Sequence, residues 1–576
     1  MPRRFAIALV LALLGACSPE PVPGTDAPDV QATDAADAAD GALSDAADTA
    51  DAGSDVAADV ADTLASDGLG WTADAQPPFP VAQDVDLPVC PTVVGKFELP
   101  ELSATGDIEL VGSGWLQAVG VVETLDVRIR KPGSESTDVK AAGPLTLTGT
   151  PGVTVVSVGT PAAGVTTAKV TFATAGRHTL TASLPDGRQG VVEFEAYVSP
   201  LPIWEVEIAP VDWKAMVADP YDRTYYPATF KAEGQVFAGA EIRLHGGASS
   251  EMPKKSFRVN LPKGQQLKSG ERKLILRAEY VDKTMLRTRV SYEIYRATTW
   301  LPTPKTEYVH LRINGRYYGL MNHVQRIGGD FLQAWGLNPD GNLYESDPPN
   351  ELAVEPGGKM TPMAPELYAQ VYAKQAGTKD VFDDLIALIE GVLQLPKDAF
   401  AAAIDQQLRV DDWLAYAAGM AVLQNHEHIR KNFYLYRDPA AADDRWVFFP
   451  WDLDLTLGHL WTEEKDVLDE TIFTQMPLDV GLDTGAHGFY NQVYRVLENP
   501  AYRKRFFQFV LQIADTGLAP DFLDQRLETA LCTLRLDFLA DKRKRSSVGE
   551  YLDRVDEIRA YAQGRRAFIH EELGVP

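Results

Sequence analysis

A long acidic segment near the N-terminus sets the first limit on what this chain can fold into. Residues 18–86 consist mostly of Ala, Asp, Pro, Gly, Ser and Thr, and they contain fifteen Asp and one Glu but no Lys or Arg. Because these like charges repel and few apolar side chains are present, the segment cannot offset the entropy lost on ordering. We therefore predict a disordered tether over residues 18–86, with the folded structure after it.

The segment before the tether is typical of a secretory signal. Two arginines precede an apolar run from Phe5 to Leu14, and small residues then lead to Cys17. The run is too short to cross a bilayer as a helix. Residues 1–17 resemble the lipobox signal peptide of bacterial lipoproteins, which implies that Cys17 carries a lipid anchor and that Ser18 directs the protein to the outer membrane. We therefore expect a lipid-anchored protein of the bacterial cell envelope, on its periplasmic or surface face.

The two remaining cysteines, Cys90 and Cys532, leave two alternatives open. In an oxidising compartment they can form a disulfide that joins the early part of the chain to its end. They can equally remain as two buried thiols.

The region 87–200 has the alternation expected of β-strands. Runs such as TLDVRIRK, HTLTASL and VVEFEAYV place apolar and polar side chains on opposite faces, and turn sequences separate them. Short alternating runs between frequent turns are typical of an antiparallel sandwich. We predict a small all-β, immunoglobulin-like sandwich domain here, which serves as a spacer or presents a ligand.

After residue 200 the pattern changes to mixed α and β. Strands are predicted around AEIRLHG, KSFRVNL, KLILRAE, EYVHLRI and RWVFF. Apolar residues at helical spacing predict helices over residues 380–395, over residues 410–424 and from Asp521 onward. We place one α+β domain over residues 201–576.

The run PWDLD follows the predicted strand RWVFF and carries Asp452 and Asp454. If this run stays extended, the two carboxylates point the same way, because strand side chains repeat every two residues. They then repel each other unless a cation or a base lies between them, and hard oxygen ligands suit Mg²⁺ or Ca²⁺. An acidic turn that caps a helix is the alternative. The nearby Asn432 and Glu427 favour the metal site.

The segment HGGASSEMPKKSFRVNL joins a turn rich in Gly and Ser to Lys254, Lys255 and a strand. Backbone N–H groups freed by glycine, Ser hydroxyls and an ammonium group are what a phosphate cradle needs. An ordinary hairpin with two solvated lysines is the alternative. The sequence does not contain the standard phosphate-binding loop motif.

Three further patterns have both a structural and a functional interpretation. The segment VDKTMLRTRVSYEIYR predicts a helix capped by Asp282, from which Arg287 reaches either a phosphate or a carboxylate. His426 and His428 suggest zinc, but the absence of a third ligand at a diagnostic spacing disfavours it. The basic run 542–545 in this acidic chain predicts a solvated helix face or an internal partner for acidic groups, and not nucleic-acid binding.

Read in chain order, six segments resemble the CotH family, the spore coat protein H kinases, over most of residues 201–576. They are HGGASSEMPKKSFRVNL, DKTMLRTRVSYEIYR, VHLRINGRYYGLMNHVQRIGGDFL, NLYESD, NHEHIRKNFYLYRD and FFPWDLDLTLG. The resemblance implies an atypical protein-kinase-like fold. It also implies phosphorylation of Ser or Thr in an unidentified protein outside the cytoplasm, with ATP and Mg²⁺ or Mn²⁺ as cofactors.

The same resemblance implies which residues bind the nucleotide. Lys254 or Lys255 would bind its phosphates. The other residues expected at the nucleotide are Ser249, Arg287 and Gln325.

The resemblance also implies a metal site and a catalytic base. Asp452, helped by Asp454, would hold the metal, and Asn432 would be a second ligand. Glu427 would be the base. Phosphoryl transfer asks a protein mainly for positioning and charge neutralisation, which this set of side chains can supply.

Three positions depart from the family pattern. Glu427 replaces the usual catalytic Asp, Gln325 replaces an acidic residue that would pair with the nucleotide lysine, and Glu345 replaces a common Lys. The longer Glu side chain shifts the position of the base, on which the rate of transfer depends steeply. A catalytically inactive binding or structural protein of the envelope is therefore the alternative to a kinase.

Overall fold

The structure, a computed structural model, describes residues 101–346, 353–354, 367–425, 431–459 and 490–575. The predictions that fall outside the described residues are those on the signal segment 1–17, the tether 18–86, Cys17, Cys90, His426, Glu427 and His428. Cys532 is disulfide-bonded, and its partner lies outside the described residues. A free thiol at Cys532, one of the two alternatives, is therefore wrong.

The N-terminal part of the described chain consists of β-strands in two sheets. In chain order the strands are β1 (Ala104–Gly106), β2 (Ile108–Val111), β3 (Leu116–Ala118), β4 (Val122–Ile129), β5 (Thr146–Gly149), β6 (Val153–Val158), β7 (Val165–Phe172), β8 (Gly176–Ser183) and β9 (Gln189–Tyr197). One sheet has the order β1-β9-β8-β5, with β3 parallel to β9, and the other has the order β2-β4-β7-β6. Alternate side chains from both sheets, such as Leu125 and Phe194, share one buried core. The predicted β-rich region is confirmed.

The chain then closes into a seven-stranded barrel. Its strands are β10 (Ile203–Ile208), β11 (Tyr226–Ala232), β12 (Gln235–His245), β13 (Ser256–Asn260), β14 (Lys273–Arg277), β15 (Thr306–Ile313) and β16 (Arg316–Gln325). The order around the barrel is β10-β11-β12-β13-β14-β16-β15, and parallel pairing of β10 with β15 closes it. The helix α1 (Pro210–Ala218) packs against β11 and β12.

The two faces of the barrel strands have different roles. Side chains such as Leu244, Phe257 and Leu276 fill the barrel interior. Because successive strand residues point to opposite faces, the residues next to them, among them Arg258 and Arg277, lie on the outer face. The outer face of β12, β13 and β14 therefore carries basic side chains.

The rest of the chain is mainly helical and packs against the barrel. Its helices are α2 (Arg287–Thr298), α3 (Gly329–Ala334), α4 (Tyr368–Val371), α5 (Asp383–Ile386), α6 (Lys397–Gln407), α7 (Val410–Leu423), α8 (Pro500–Gly517), α9 (Pro520–Ala540) and α10 (Val548–Glu572). Its strands are β17 (Asn342–Ser346), β18 (Ala353–Val354), β19 (Tyr372–Ala376), β20 (Phe433–Arg437), β21 (Val447–Pro450) and β22 (Tyr490–Asn491). They form a sheet of order β19-β17-β20-β21 and the pair β18-β22.

One large core joins the helical half to the outer face of the barrel. Ile275 of β14 and Val324 of β16 are buried in the same core as Trp413 of α7 and Phe509 of α8. Among the described residues, the helices that are long enough to cross a membrane are all too polar to do so.

Most predicted elements after residue 200 are confirmed. The strands around AEIRLHG, KSFRVNL, KLILRAE and EYVHLRI are β12, β13, β14 and β15, and the predicted helices 410–424 and Asp521 onward are α7, α9 and α10. The single helix predicted over 380–395 is wrong, because α5 ends at Ile386 and a wider π-helical turn, Ala387–Val392, follows it.

The basic run 542–545 is a loop between α9 and α10, so the prediction of a helix face is wrong. Its side chains bind backbone carbonyls of other segments. Arg543 donates to the carbonyl of Tyr318 at 3.0 Å, and Arg545 donates to the carbonyl of Val281 at 3.1 Å. The run therefore makes internal contacts, as the other alternative predicted, but its partners are mainly backbone carbonyl oxygens and not carboxylates.

A buried ion pair fixes the sandwich to the barrel. Arg312 of β15 donates to Glu123 of β4 at 2.9 Å, and both side chains are at most 2% exposed. The same guanidinium donates to the carbonyls of Val122 and Gly315. Since removal of two charges from water is costly, this pair is stable only while both members and their extra hydrogen bonds remain.

We predict that Arg312→Met lowers the free energy of unfolding by about 3–5 kcal/mol, because Glu123 is left charged and buried without a counter-charge, with only the hydrogen bonds from Ser113. The double variant Arg312→Met, Glu123→Gln should recover much of that loss. Urea denaturation of the single and double variants measures the coupling.

The matched control is Arg316→Met. Arg316 pairs with Asp126 at the same junction, but its side chain is 35% exposed and that of Asp126 is 60% exposed. A solvated pair contributes little, so this variant should unfold close to the parent. Equal losses in Arg312→Met and Arg316→Met would contradict the assigned role of the buried pair.

Candidate functional site

Strand register brings Asn432 and Asp452 to the same end of one sheet. Phe433 of β20 pairs with Pro450 of β21, so the chain enters β20 from Asn432 beside the point where it leaves β21 toward Asp452. The amide of Asn432 donates to the carbonyl of Ser346 in β17 at 2.8 Å. Asn432 and Asp452 thus lie at the same end of the β20–β21 pair, and their role in one metal site stays a prediction.

The backbone at this end is unusual. Asn432 has a φ of 65° and Asp452 a φ of 57°, so both non-glycine residues lie in the left-handed region. Such conformations cost free energy and are found where the surrounding structure holds a functional side chain in place. The extended run predicted for PWDLD is wrong, because β21 ends at Pro450 and Asp452 turns the chain.

Arg277 lies between the two carboxylates of the PWDLD run. Its Nη1 donates to Asp452 Oδ1 at 2.5 Å and its Nη2 donates to Asp454 Oδ2 at 2.7 Å. Both carboxylates thus point the same way, as predicted, and the group between them is a base. Burial raises the pKa of Asp452, but Arg277 outweighs burial and lowers it overall.

These residues do not fit a divalent cation in the arrangement observed. One guanidinium already joins an oxygen of Asp452 to an oxygen of Asp454 and supplies the positive charge. No group of three or more His, Cys, Asp or Glu that could hold a metal gathers within the described part of the chain. A cation can bind both carboxylates only after Arg277 has moved away from them.

Glu279 continues the charged network inside the protein. Its Oε1 lies 3.5 Å from Arg277 Nε and accepts a hydrogen bond from Asn322, and its Oε2 accepts one from Thr288. Burial raises the pKa of Glu279 in spite of the attraction of Arg277. Arg277 is therefore surrounded by three carboxylates, which together hold its own pKa well above the usual value against the effect of burial.

Lys254 has a fixed partner inside the protein. Its Nζ donates to Asp541 Oδ2 at 2.7 Å and to the carbonyl of Leu320 at 2.5 Å, and the side chain is 1% exposed. It lines a small cavity together with Glu279 and Asp282. Its predicted role at nucleotide phosphates would require this ion pair to open.

Lys255 and Ser249 lie in the glycine-rich turn between β12 and β13. Lys255 Nζ donates to the carbonyls of Ser250 at 2.8 Å and Glu251 at 3.2 Å. Gly246 has a φ of +107°, and a Cβ there would come within 2.3 Å of Ser249 Oγ, so the turn needs glycine. The alternative of an ordinary hairpin with two solvated lysines is therefore confirmed only for the hairpin. Lys254 is buried, and Lys255 donates hydrogen bonds to backbone carbonyls of the turn.

Arg287 and Gln325 do not lie with Arg277 and Asp452. Arg287 Nη1 donates to Asp282 Oδ1 at 2.6 Å with both side chains buried, which is the salt-bridge alternative. The predicted N-cap at Asp282 is wrong, because α2 begins at Arg287 and its N-cap is Leu286. Asp282 nevertheless accepts a hydrogen bond from the amide of Arg287, the first residue of the helix.

Gln325 pairs across the sheet with Leu274, whose side chain is in the barrel interior, so it points away from the outer face. Its Oε1 accepts a hydrogen bond from the amide of Lys305 at 3.3 Å. Glu345 is opposite Tyr434 in the neighbouring strand and accepts from Gln375 at 2.6 Å. An acidic residue at position 325 was expected to pair with the nucleotide lysine. In this chain Asp541 is the acidic partner of Lys254 instead.

Sequence reasoning missed a second group of basic residues beside the glycine-rich turn. Arg243 and His245 lie on the outer face of β12, and Arg258 of β13 is directly opposite Arg243. Arg223 joins them by donating to the carbonyl of Gly246 at 2.6 Å. Alternation in AEIRLH and SFRVN would have placed Arg243 and Arg258 outward, but the strand pairing that brings them together was not predictable.

The chain was compared with known proteins. Residues 242–569 match the family model described as CotH kinase protein. The chain is also 22% identical over 379 residues to the inner spore coat protein H of Bacillus subtilis (strain 168), an alignment that covers 66% of this chain and 99% of that protein.

We predict that Arg277→Gln lowers the free energy of unfolding by about 3–5 kcal/mol at neutral pH, because the buried Glu279 and the half-buried Asp452 and Asp454 lose their shared counter-charge. Arg277 lowers the pKa of Asp452 in the parent. Without Arg277, burial becomes the largest influence on this pKa, which should rise above its ordinary value. A raised carboxyl pKa costs stability above that pKa, so the deficit should shrink as the pH falls toward 5. Thermal midpoints measured between pH 5 and pH 8 test this dependence.

Arg272→Gln serves as the control, since Arg272 Nη1 donates to the carbonyl of Leu261 and not to a carboxylate. Its deficit relative to the parent should not change with pH. A pH-independent deficit in Arg277→Gln would show that the guanidinium does not neutralise the carboxylates.

Proposed function

This chain belongs to the CotH kinase protein family, and from that premise we propose that it transfers the γ-phosphoryl group of ATP to Ser or Thr side chains of a protein outside the cytoplasm. The ATP phosphates bind where the end of the β20–β21 pair meets the outer face of the barrel. The N-terminal lipid on Cys17 holds the protein to the outer membrane of the bacterial envelope.

The observation that supports this proposal most is the convergence of polar groups from separate segments. Asn432 and Asp452 meet through strand register, and Asp454 joins them through Arg277. The glycine-rich turn and its basic neighbours lie on the same outer face as Arg277. Positioning and charge neutralisation are the main demands of phosphoryl transfer, and this surface supplies both.

The transfer step balances as a simple displacement. The acceptor hydroxyl oxygen forms a bond to the γ-phosphorus while the bond from that phosphorus to the bridging oxygen breaks, and ADP leaves. Glu427 takes the hydroxyl proton as general base. The Mg²⁺ or Mn²⁺ expected from the family enters this proposal only with Arg277 displaced from Asp452 and Asp454.

Arg277 also favours a second candidate, a nucleotide-binding protein of the envelope without turnover. Its guanidinium bonds both carboxylates that a metal would otherwise bridge. In that case the family fold would serve recognition, and the departures at Glu427, Gln325 and Glu345 would carry no penalty. The two candidates differ in whether phosphate is transferred.

For the kinase, we predict that ATP with Mg²⁺ raises the thermal midpoint of the full chain, since a ligand of the folded state stabilises it by about 2.7 kcal/mol at a hundred times its dissociation constant. Asp452→Asn should lose most of this shift. Glu427→Gln should keep it but should lose transfer of radiolabelled phosphate to protein.

Binding in the parent without any transfer would decide for the second candidate. The absence of any shift with millimolar ATP would contradict both. Glu390→Gln is the matched control, because Glu390 accepts from Tyr368 in a different part of the helical half.

We further predict that Mn²⁺ raises the thermal midpoint of Arg277→Gln more than that of the parent. Removal of the guanidinium takes away the cation that joins Asp452 to Asp454, and hard divalent ions suit such oxygens. The readout is the shift in midpoint with Mn²⁺ alone, without nucleotide. Equal shifts in Arg277→Gln and the parent would show that these carboxylates do not bind the metal.

A further inference from the structure

Three arginines converge on the outer face of the barrel beside the glycine-rich turn. Arg243 of β12 and Arg258 of β13 are direct cross-strand partners, a position in which side chains on one face are neighbours. His245 lies two residues after Arg243, and its Nδ1 accepts from Arg258 Nε at 3.1 Å. Arg223 reaches the same place from the loop before β11 by donating to the carbonyl of Gly246.

Within the described part of the chain, no carboxylate lies at ion-pair distance from these arginines. Their hydrogen bonds go to backbone carbonyls or to His245. Burial together with Arg243 and Arg258 lowers the pKa of Arg223. Burial and the surrounding arginines also hold the pKa of His245 well below its usual value, so that its ring is neutral.

The contrast with other arginines of the barrel is clear. Arg277 of β14 and Arg312 of β15 each lie within 3 Å of a carboxylate oxygen from another part of the chain. The chain is acidic overall, with a net charge of −27, so carboxylates are plentiful. Three neighbouring arginines that have no carboxylate partner repel one another, and a bound anion would relieve this repulsion.

Donor groups remain for such an anion. In the described residues Arg258 donates through Nε, and Arg243 donates through Nη1 to the carbonyl of Leu244. Their other guanidinium nitrogens are directed to no protein acceptor among the described residues, and both side chains are partly exposed. Guanidinium groups bind phosphate oxygens through paired, charge-assisted hydrogen bonds.

We infer that Arg223, Arg243 and Arg258 form a binding site for a phosphate group, next to the glycine-rich turn that contains Gly246. The neutral His245 accepts from Arg258 and so fixes its guanidinium without adding a competing negative charge. The inference rests on the proposed function in placing phosphates on this outer face, and it deepens that function by naming residues whose binding needs neither a metal nor transfer. The phosphate can belong to a nucleotide or to a phosphorylated side chain of another protein.

The test measures binding of inorganic tripolyphosphate to the full chain by calorimetry, with EDTA present to remove divalent cations. Arg243→Gln and Arg258→Gln should each weaken binding by at least about ten-fold, the loss expected for charge-assisted hydrogen bonds. Without ligand, both variants should have a thermal midpoint equal to or above that of the parent, because repulsion is relieved. A purely structural role would lower it.

Arg177→Gln is the control. Arg177 is an exposed arginine of β8 that donates to the carbonyl of Glu101 in the sandwich. It should bind tripolyphosphate as the parent does. Equal weakening in Arg177→Gln and Arg258→Gln, or no binding by the parent, would overturn the inference.

Two further titrations distinguish the source of the phosphate. Competition of ATP with tripolyphosphate, lost in Arg258→Gln, would support the inference with a nucleotide as ligand. Competition by a phosphoserine peptide, with none by the same peptide containing serine, would support it with a phosphorylated protein as ligand. If sulfate at equal ionic strength competes as strongly as ATP and the phosphoserine peptide do, the inference is overturned, because the competition is then only non-specific screening.

Discussion

The ion pairs of Arg277 hold the barrel to the end of the β20–β21 pair, and the geometry of the whole candidate site depends on them. Strand alternation puts Arg277 on the outer face of β14, and its two Nη groups reach Asp452 and Asp454 on the other half of the molecule. Two half-buried carboxylates on one short run would otherwise repel, and the left-handed backbone at Asp452 would have nothing to compensate its cost. One guanidinium satisfies both requirements because its planar fork can bond two carboxylates at once.

Charge is distributed unevenly over the outer face of the barrel. At one end Arg277 is surrounded by three carboxylates, Asp452, Asp454 and Glu279, so the protein itself more than offsets the charge of this arginine. At the other end Arg223, Arg243 and Arg258 are matched by none among the described residues. A ligand with several negative charges would gain most by binding toward the second end, and from there it would reach Arg277 and compete for it with the carboxylates. From the family resemblance we expected a metal at the first end, but the guanidinium of Arg277 occupies that position.

The sequence predicted what depends on local pattern. Alternation identified β12 to β15, and the spacing of Asp452 and Asp454 required a cation or base between them, which is Arg277. It could not identify that base, because Arg277 lies 175 residues before Asp452. It assigned Lys254 to a nucleotide, which stays a prediction, but it could not identify the ion pair of this lysine with Asp541, which is 287 residues away and has no local signature. Partners supplied by distant parts of the chain were thus not predictable, whereas contacts fixed by neighbouring residues were.

The C-terminal end of α9 links the sandwich to these residues. Asp537 accepts from Tyr197 of β9 at 3.0 Å and lies 2.6 Å from His310 Nδ1 of β15, and one helical turn later Asp541 holds Lys254. Asp537 and Asp541 are both fully buried, so neither can move without leaving charges uncompensated. The sandwich therefore contributes to a continuous set of buried polar contacts that ends at Lys254. A domain that served only as a spacer would not need these buried polar contacts. The free energy lost in burying the polar groups is explained if the sandwich helps to fix the position of α9 against the barrel.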